Sequence, residues 1–243
     1  NNVADGTSVT FNASLGSFPT TPYITTTTNG VAVATLTAGT TAGTSYITAT
    51  AGLVEGYTTV EFVPGPLDHV VVSPPGVDLH PYDTQQFTAR GYDQFNNEIP
   101  DPGLSWAVVN GGGTIDANGL FTAGTTIAAF PDTVAAGDGT ITDTASVTVT
   151  NQAPTAVISG PDTGAEGSVL TWNASASSDP ENDALTYAWD FGDGSTASNV
   201  ITVTHAYTDN ADYTLTLTVT DAYDALDTTT QTVTISNVAP TVE

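Results

Sequence analysis

Residues 213–219 read YTLTLTV, with Tyr213, Leu215, Leu217 and Val219 on one parity and Thr214, Thr216 and Thr218 on the other. Side chains alternate faces along a β-strand, so this spacing puts the large apolar groups on one side and the hydroxyls on the other. The same period of two recurs in TSVTFNA (7–13), GVAVATLTA (30–38) and TSYITATA (44–51). No stretch holds the spacing of an amphipathic helix over three or four turns. Asn-Gly, Asp-Gly and proline-containing turns end the runs at short intervals, which is the pattern of antiparallel β-sandwiches.

Composition agrees with an all-β chain. Roughly one residue in five is threonine, a strand former. The 23 glycines and 14 prolines supply turns. Charge narrows the partners further: 26 acidic residues face a single basic one, Arg90, for a net charge of −25. Such a chain has nothing with which to neutralise phosphates, which excludes nucleic acid, and nothing to draw it to an anionic membrane surface. Its field gathers cations, calcium foremost. The alternative reading of the same charge is an acidic surface solvated in salty water.

With no cysteine there is no disulfide, thiolate metal site or cysteine nucleophile. With no lysine, Lys–Asn isopeptide cross-links are excluded too. No apolar run is long enough to insert in a membrane. The chain has neither a signal peptide nor a methionine, so it is expected to be a processed or excised piece of an exported, extracellular protein.

Two short Pro/Gly-bearing stretches, VPGPLDHV (63–70) and TNQAPTAV (150–157), divide the chain into modules at 1–64, 65–151 and 152–236. NQAPTAV, from Asn151, returns as NVAPTVE from Asn237. Residues 237–243 are therefore expected to begin a further repeat or a linker, in a length cut from a longer tandem array. A second echo pairs NGVAVATLTAGTTAG (29–43) with NGLFTAGTTIA (118–128).

The third module carries ASSDPENDALTYAWDFGDGS (176–195) followed by VTHAYTDNADYTLTLTVTD (203–221), and through these stretches it resembles a PKD domain, an Ig-like sandwich. It departs from the family at DNADY, where a glycine usually precedes the tyrosine. The first module resembles the bacterial Ig-like repeats of invasin-type adhesins through VADGTSVTFNASLGSF (3–18) and TNGVAVATLTAGTTAGTSYITATAG (28–52). That resemblance starts about two strands into the family pattern, so the first module is expected to be incomplete. The second resembles another bacterial Ig-like group through FTARGYDQFNNEIPDPGLSWAV (87–108) and GTIDANGLFTAG (113–124). Together these resemblances imply three tandem Ig-like β-sandwich domains.

Within LTYAWDFGDGS (185–195), Asp190 and Asp193 invite a catalytic reading. The carboxylates of a glycosidase, however, need a sugar-sized cleft between them, and one tight turn does not provide it. Tyr187, Trp189 and Phe191 are expected on one strand face with Trp189 as a core plug. Gly192 and Gly194 are expected to make the turn, and the two aspartates to accept backbone N–H groups within it. No GxSxG elbow occurs, and His69, His80 and His205 are scattered over different modules. A zinc site needs converging ligands, so no enzyme is expected here.

The most chemically suggestive stretch is SSDPENDA (177–184), where Asp179, Glu181 and Asp183 offer hard oxygens at alternating positions. Calcium takes six to eight such ligands. The resemblance to PKD-like modules of secreted collagenases implies a calcium site made by this loop, the module's first residue and the aspartate ending the penultimate strand. By motif position these are Asn151, Asp179, Glu181, Asp183 and Asp221. The alternative is a solvated acidic loop. GYDQFNNEIPD (91–101), with Asp93, Asn96, Asn97, Glu98 and Asp101, is a weaker second candidate, and Asp224 and Asp227 read as turn residues. NAS sequons at Asn12 and Asn173 are glycosylation acceptors by pattern alone.

Two functions are compatible with these readings. The first is a structural segment of a surface-layer, filament or adhesin stalk, self-associating with neighbouring copies and stiffened by calcium. The second is a non-catalytic spacer or substrate-binding region of a large secreted hydrolase, with cell-surface or polysaccharide ligands held by exposed tyrosines. The ends of the chain are read first as truncation of a longer chain; the alternative is strand exchange, in which NVAPTVE or a neighbouring chain completes the sheet of the first module.

Overall fold

The structure, a computed structural model, describes residues 3–239. All regular structure in it is β: twenty-one strands are formed and no helix. Among the described residues, accordingly, no helix is long and apolar enough to cross a membrane. Contacts divide the chain into two compact units. One comprises Asn1–Val77, Gln85–Phe121 and Pro131–Val147; the other comprises Asp78–Thr84, Thr122–Phe130 and Thr148–Glu243.

The first unit opens with a four-stranded sheet in the order Tyr23–Thr26, Ser8–Ala13, Gly43–Ala51, Val54–Phe62. All three pairings are antiparallel, in a register that puts Val9, Phe11, Tyr23, Ile47, Ala49 and Val60 on one face. Val9 is buried there, and the rings of Phe11, Phe18 and Tyr23 cluster at centroid distances of 5.9–6.5 Å. The opposite face is mostly threonine and carries the exposed Ile24, Tyr46 and Tyr57.

Residues 30–38 depart from expectation. Their burial keeps the period of two, with Ala32, Ala34 and Leu36 half-buried and Val31, Val33, Thr35 and Thr37 exposed. Yet they form no strand, only isolated bridges Thr28–Val31 and Ser17–Thr37. The segment has the side-chain pattern of a strand but, among the described residues, pairs only through these two bridges.

Further along the first unit, His69–Ser73, Thr88–Tyr92 and Glu98–Ile99 form a three-stranded sheet. Ser105–Val108 pairs antiparallel with residues 134–137. Phe87 and Phe121 meet edge to face at 6.1 Å within this core, both fully buried, as are Val134 and Val147.

The second unit is dominated by a five-stranded sheet in the order Thr163–Ala165, Leu226–Ser236, Asp212–Thr220, Thr186–Asp190, Thr196–Ser198, together with the pair Leu170–Asn173 and Thr202–His205. Leu215, Leu217 and Val219 are fully buried while the intervening threonines are not, as the alternation predicts. Trp172 and Trp189 fill the core, and each satisfies its one donor: Trp172 Nε1 donates to Pro161 O at 2.9 Å and Trp189 Nε1 to Val200 O at 3.0 Å. Burying an indole costs little when its N–H finds such a partner. Of the NVAPTVE segment, residues 240–243 lie outside the described residues. Val238 N–H donates to Glu166 Oε1, within the same unit.

Candidate metal centre

LTYAWDFGDGS is structural throughout. Thr186–Asp190 is a strand that buries Trp189, and Phe191 follows into the core. Gly192 and Gly194 turn the chain at φ +78° and +91°. Asp190 Oδ1 accepts Gly192 N–H and Asp193 Oδ1 accepts Ser195 N–H, both at 2.9 Å. The other oxygen of Asp193 faces His205 Nε2 at 2.7 Å, and the His205 ring stacks on Phe191 at 4.2 Å. Burial pushes the Asp193 carboxyl up, but the Ser195 and His205 hydrogen bonds outweigh it and hold the group below its ordinary range. Both aspartates are thus engaged within their own turn.

The acidic loop at 179–183 is built differently. Asp179, buried, uses Oδ1 to accept the N–H groups of Glu181 and Asp183 at 2.9 and 3.0 Å, which curls the loop around its own side chain. Asp221, also buried, does the same at the far end of the penultimate strand, its Oδ1 accepting Tyr223 and Ala225 N–H at 2.8 and 2.9 Å. Asn151 Nδ2 donates to Asp221 Oδ2 at 2.6 Å.

These bonds leave four buried oxygens with no donor: Asn151 Oδ1, Asp179 Oδ2, Glu181 Oε2 and Asp183 Oδ2. Buried polar atoms are nearly always hydrogen-bonded, so these four oxygens are free to accept from water or to ligate a cation. Three of the four belong to carboxylates. Burial pushes the Asp183 carboxyl above its ordinary value, and the negative charges of Asp179 and Asp221 push it further. The chain's one basic side chain, Arg90, is held in the other unit by Glu98, at 2.7 and 2.8 Å. Glu181 and Asp183 also line a cavity of about 70 Å³, together with Tyr82, Ile127 and Tyr223 of the same unit.

The donor set suits a hard cation that takes oxygen ligands. Asn151, Asp179, Glu181 and Asp183 would hold it, and the ion would neutralise carboxylates that otherwise repel one another. Asp221 differs from the other four in having donors on both oxygens, and it orients Asn151. Among the described residues no three His, Cys, Asp or Glu side chains are already gathered as a ready-made metal cluster. The site is therefore defined by its orphaned oxygens.

The second acidic stretch, at 91–101, is not such a site. Asp93 is buried and its oxygens are taken: Oδ1 by Phe95 and Asn97 N–H, Oδ2 by Gly65 N–H and Asn97 Nδ2, at 2.8–2.9 Å. Asn97 continues the chain of bonds, accepting Ala42 N–H and donating to Thr40 O. Four N–H donors do here what a cation would do for the orphaned oxygens. This lock was not anticipated from the sequence: three of its donors come from Phe95 and Asn97 close by, but the fourth, Gly65 N–H, comes from 28 residues away.

The PKD domain family model matches residues 151–236. Residues 151–236, about a third of the chain, are thus its PKD-like part. PKD domains are non-catalytic modules. Over 88 residues the chain is 40% identical to the microbial collagenase of Vibrio alginolyticus, a match that covers 36% of this chain and 11% of the collagenase. The PKD1 domain of Vibrio anguillarum Epp is 35% identical, covering 36% of this chain and 99% of that domain at a TM-score of 0.32. The PKD1 domain of the Vibrio cholerae metalloprotease PrtV is 34% identical, covering 35% and 99% at 0.31. The four orphaned oxygens all belong to the PKD domain, Asn151 being its first residue.

Proposed function

We propose that the chain is a non-catalytic segment of a large extracellular structural protein, of surface-layer, filament or adhesin type, made of tandem Ig-like modules and stiffened by calcium. In this reading residues 1–64 and 65–151 are bacterial Ig-like modules preceding the PKD domain, and neighbouring copies are its partners. The observation that carries the calcium part is the group of four buried oxygens without donors. A bound ion would tie Asn151, where the chain enters the domain, to the loop at 179–183, and would remove conformational freedom at that point.

The test is a thermal melt of the chain with calcium and with chelator. Chelator is expected to lower the melting temperature of the PKD domain, and the Asp179→Ala/Asp183→Ala double variant to lose that response. A wild-type melt indifferent to chelator ends the calcium reading. Electron microscopy of the protein from its native cells tests the structural role, for which ordered filaments or sheets are expected.

A second reading has its own support. Similarity to a collagenase fits an accessory region of a secreted hydrolase. Tyr46 and Tyr57, 66% and 73% exposed, lie on the threonine-rich face of the first sheet, a surface on which a sugar ring can stack. Co-sedimentation with insoluble polysaccharide, lost in Tyr46→Ala/Tyr57→Ala, would favour this reading over the first.

A further inference from the structure

Within the first sheet's neighbourhood, residues 31–37 combine three features. Their burial alternates as along a strand, with Ala32, Ala34 and Leu36 half-buried and Val31, Val33, Thr35 and Thr37 exposed. Ser17 takes one edge of the segment at Thr37, through bonds of 2.9 Å in both directions. Backbone groups of alternate residues point to opposite edges, so those of Ala32, Ala34 and Leu36 face the other edge. There they form no backbone hydrogen bond with any described residue.

Exposed strand edges invite pairing, and proteins guard them with charge, proline or bulges. This edge has none of these. Residues 6–54 contain no charged side chain and no histidine, in a chain whose net charge is −25. The acid that precedes it in sequence, Asp5, is held by Gly30 N–H just before the segment begins, and Glu61 lies beyond its other end, lining a cavity with Ala38. Elsewhere the acidic surface of one copy repels that of another. The charge-free edge is where two copies approach without that cost.

We infer that two copies of this chain pair antiparallel through residues 31–37, about a two-fold axis at Ala34. In that register Val31 lies opposite Thr37 of the second copy, Ala32 opposite Leu36, Val33 opposite Thr35, and Ala34 opposite itself. The three even-numbered pairs exchange backbone hydrogen bonds. The inward residues of both copies fall on one face, so pairing extends the existing cover over the sheet without reversing any side chain. The inference names the surface by which the neighbouring copies of the structural reading would meet. It involves none of the residues of the metal centre.

Sedimentation equilibrium of the 243-residue chain, in chelator so that the metal centre plays no part, is expected to show a concentration-dependent dimer. Val33→Asp/Thr35→Asp changes only exposed side chains and sets carboxylates opposite carboxylates across the axis. It is expected to raise the dissociation constant roughly tenfold or more. Val33→Lys/Thr35→Asp sets Lys opposite Asp in both cross-strand pairs and is expected to restore the dimer. The chain has no native cysteine, so Ala34→Cys gives a clean reporter that oxidises to a disulfide-linked dimer, opposite strand positions lying within disulfide reach. A wild-type chain that stays monomeric up to millimolar concentration overturns the inference. So does a dimer that the Asp/Asp variant leaves intact, or one that the Lys/Asp variant fails to restore.

Discussion

Asn151 Nδ2 donates to Asp221 Oδ2 at 2.6 Å, and this bond fixes which way the Asn151 amide faces. The amide oxygen is left buried and without a donor, beside a loop whose three acidic side chains each leave one oxygen in the same state. Asp221 therefore positions Asn151. Asp221→Asn keeps the size of the side chain but removes the charge that holds the amide. It is expected to weaken calcium binding about 10- to 100-fold, the usual effect of losing a partner that orients a ligand. Titration calorimetry checks this, and calcium affinity unchanged in the variant would show that Asn151 needs no such support.

Part of this site is legible in the sequence because part of it is local. Asp93, Asp179 and Asp221 all use Oδ1 to accept the N–H groups two and four residues ahead, a geometry that short loops starting with aspartate make for themselves. What separates the candidate metal centre from a hydrogen-bonded lock is the fate of Oδ2, which depends on a nearby amide side chain, as Asn97 provides for Asp93, and on donors from far along the chain. Gly65 N–H reaches Asp93, Asn151 reaches Asp221, and no donor reaches Asp179. This is why 91–101 reads as a second cation site in the sequence and is a lock in the structure. The same distinction applies to strands. Alternation at 213–219 and at 30–38 gives each its face correctly, but whether a strand has a partner is not written in its own residues.

Gly192 and Gly194 both have positive φ in the turn after Trp189, but only one is confined. A Cβ on Gly192 would lie 2.6 Å from Thr214 O, whereas one on Gly194 would meet nothing within 4 Å. Gly194→Ala is expected to destabilise the PKD domain by about 1 kcal/mol through backbone strain alone. Gly192→Ala adds a collision with the backbone of a central strand and is expected to cost about 3 kcal/mol. Chemical denaturation of the two variants compares them directly; equal losses would mean that the strand at Thr214 yields to the extra atom.

Asp93 sets an acid limit for the first unit. Burial raises its pKa, but the Asn97 side chain and the N–H groups of Gly65, Asn97 and Phe95 more than reverse this and hold the carboxyl far below its ordinary value of 3.8. A pKa lowered by folding gives stability that is present above the unfolded value and lost as pH falls through the folded one. Protection from hydrogen exchange at residues 65–77 and 85–97 should therefore fall only below pH 3.8. Asp93→Asn should exchange faster at neutral pH and vary less with acid. A variant with the wild-type acid profile would assign that loss to other carboxylates.

Tyr207 sets the corresponding alkaline limit for the PKD domain. It is fully buried, donates its hydroxyl to Phe191 O at 3.0 Å and stacks on Tyr213 at 4.2 Å. Burial, with smaller contributions from Asp193, Tyr213 and Asp190, pushes its pKa from 10.0 up to about 12. A pKa raised by folding means stability that is complete below pH 10 and declines as pH rises through 12, because the unfolded chain ionises first. Tyr207→Phe removes both the titration and the hydrogen bond to Phe191. At pH 7 it is expected to cost about 1–2 kcal/mol, since the Phe191 carbonyl is left buried without a donor. Between pH 10 and 12 the difference between variant and wild type should shrink, as the wild type alone loses the contribution of its neutral phenol. Denaturant unfolding of both proteins across that range measures the difference, and a constant gap would show that the Tyr207 hydroxyl does not resist ionisation in the folded domain.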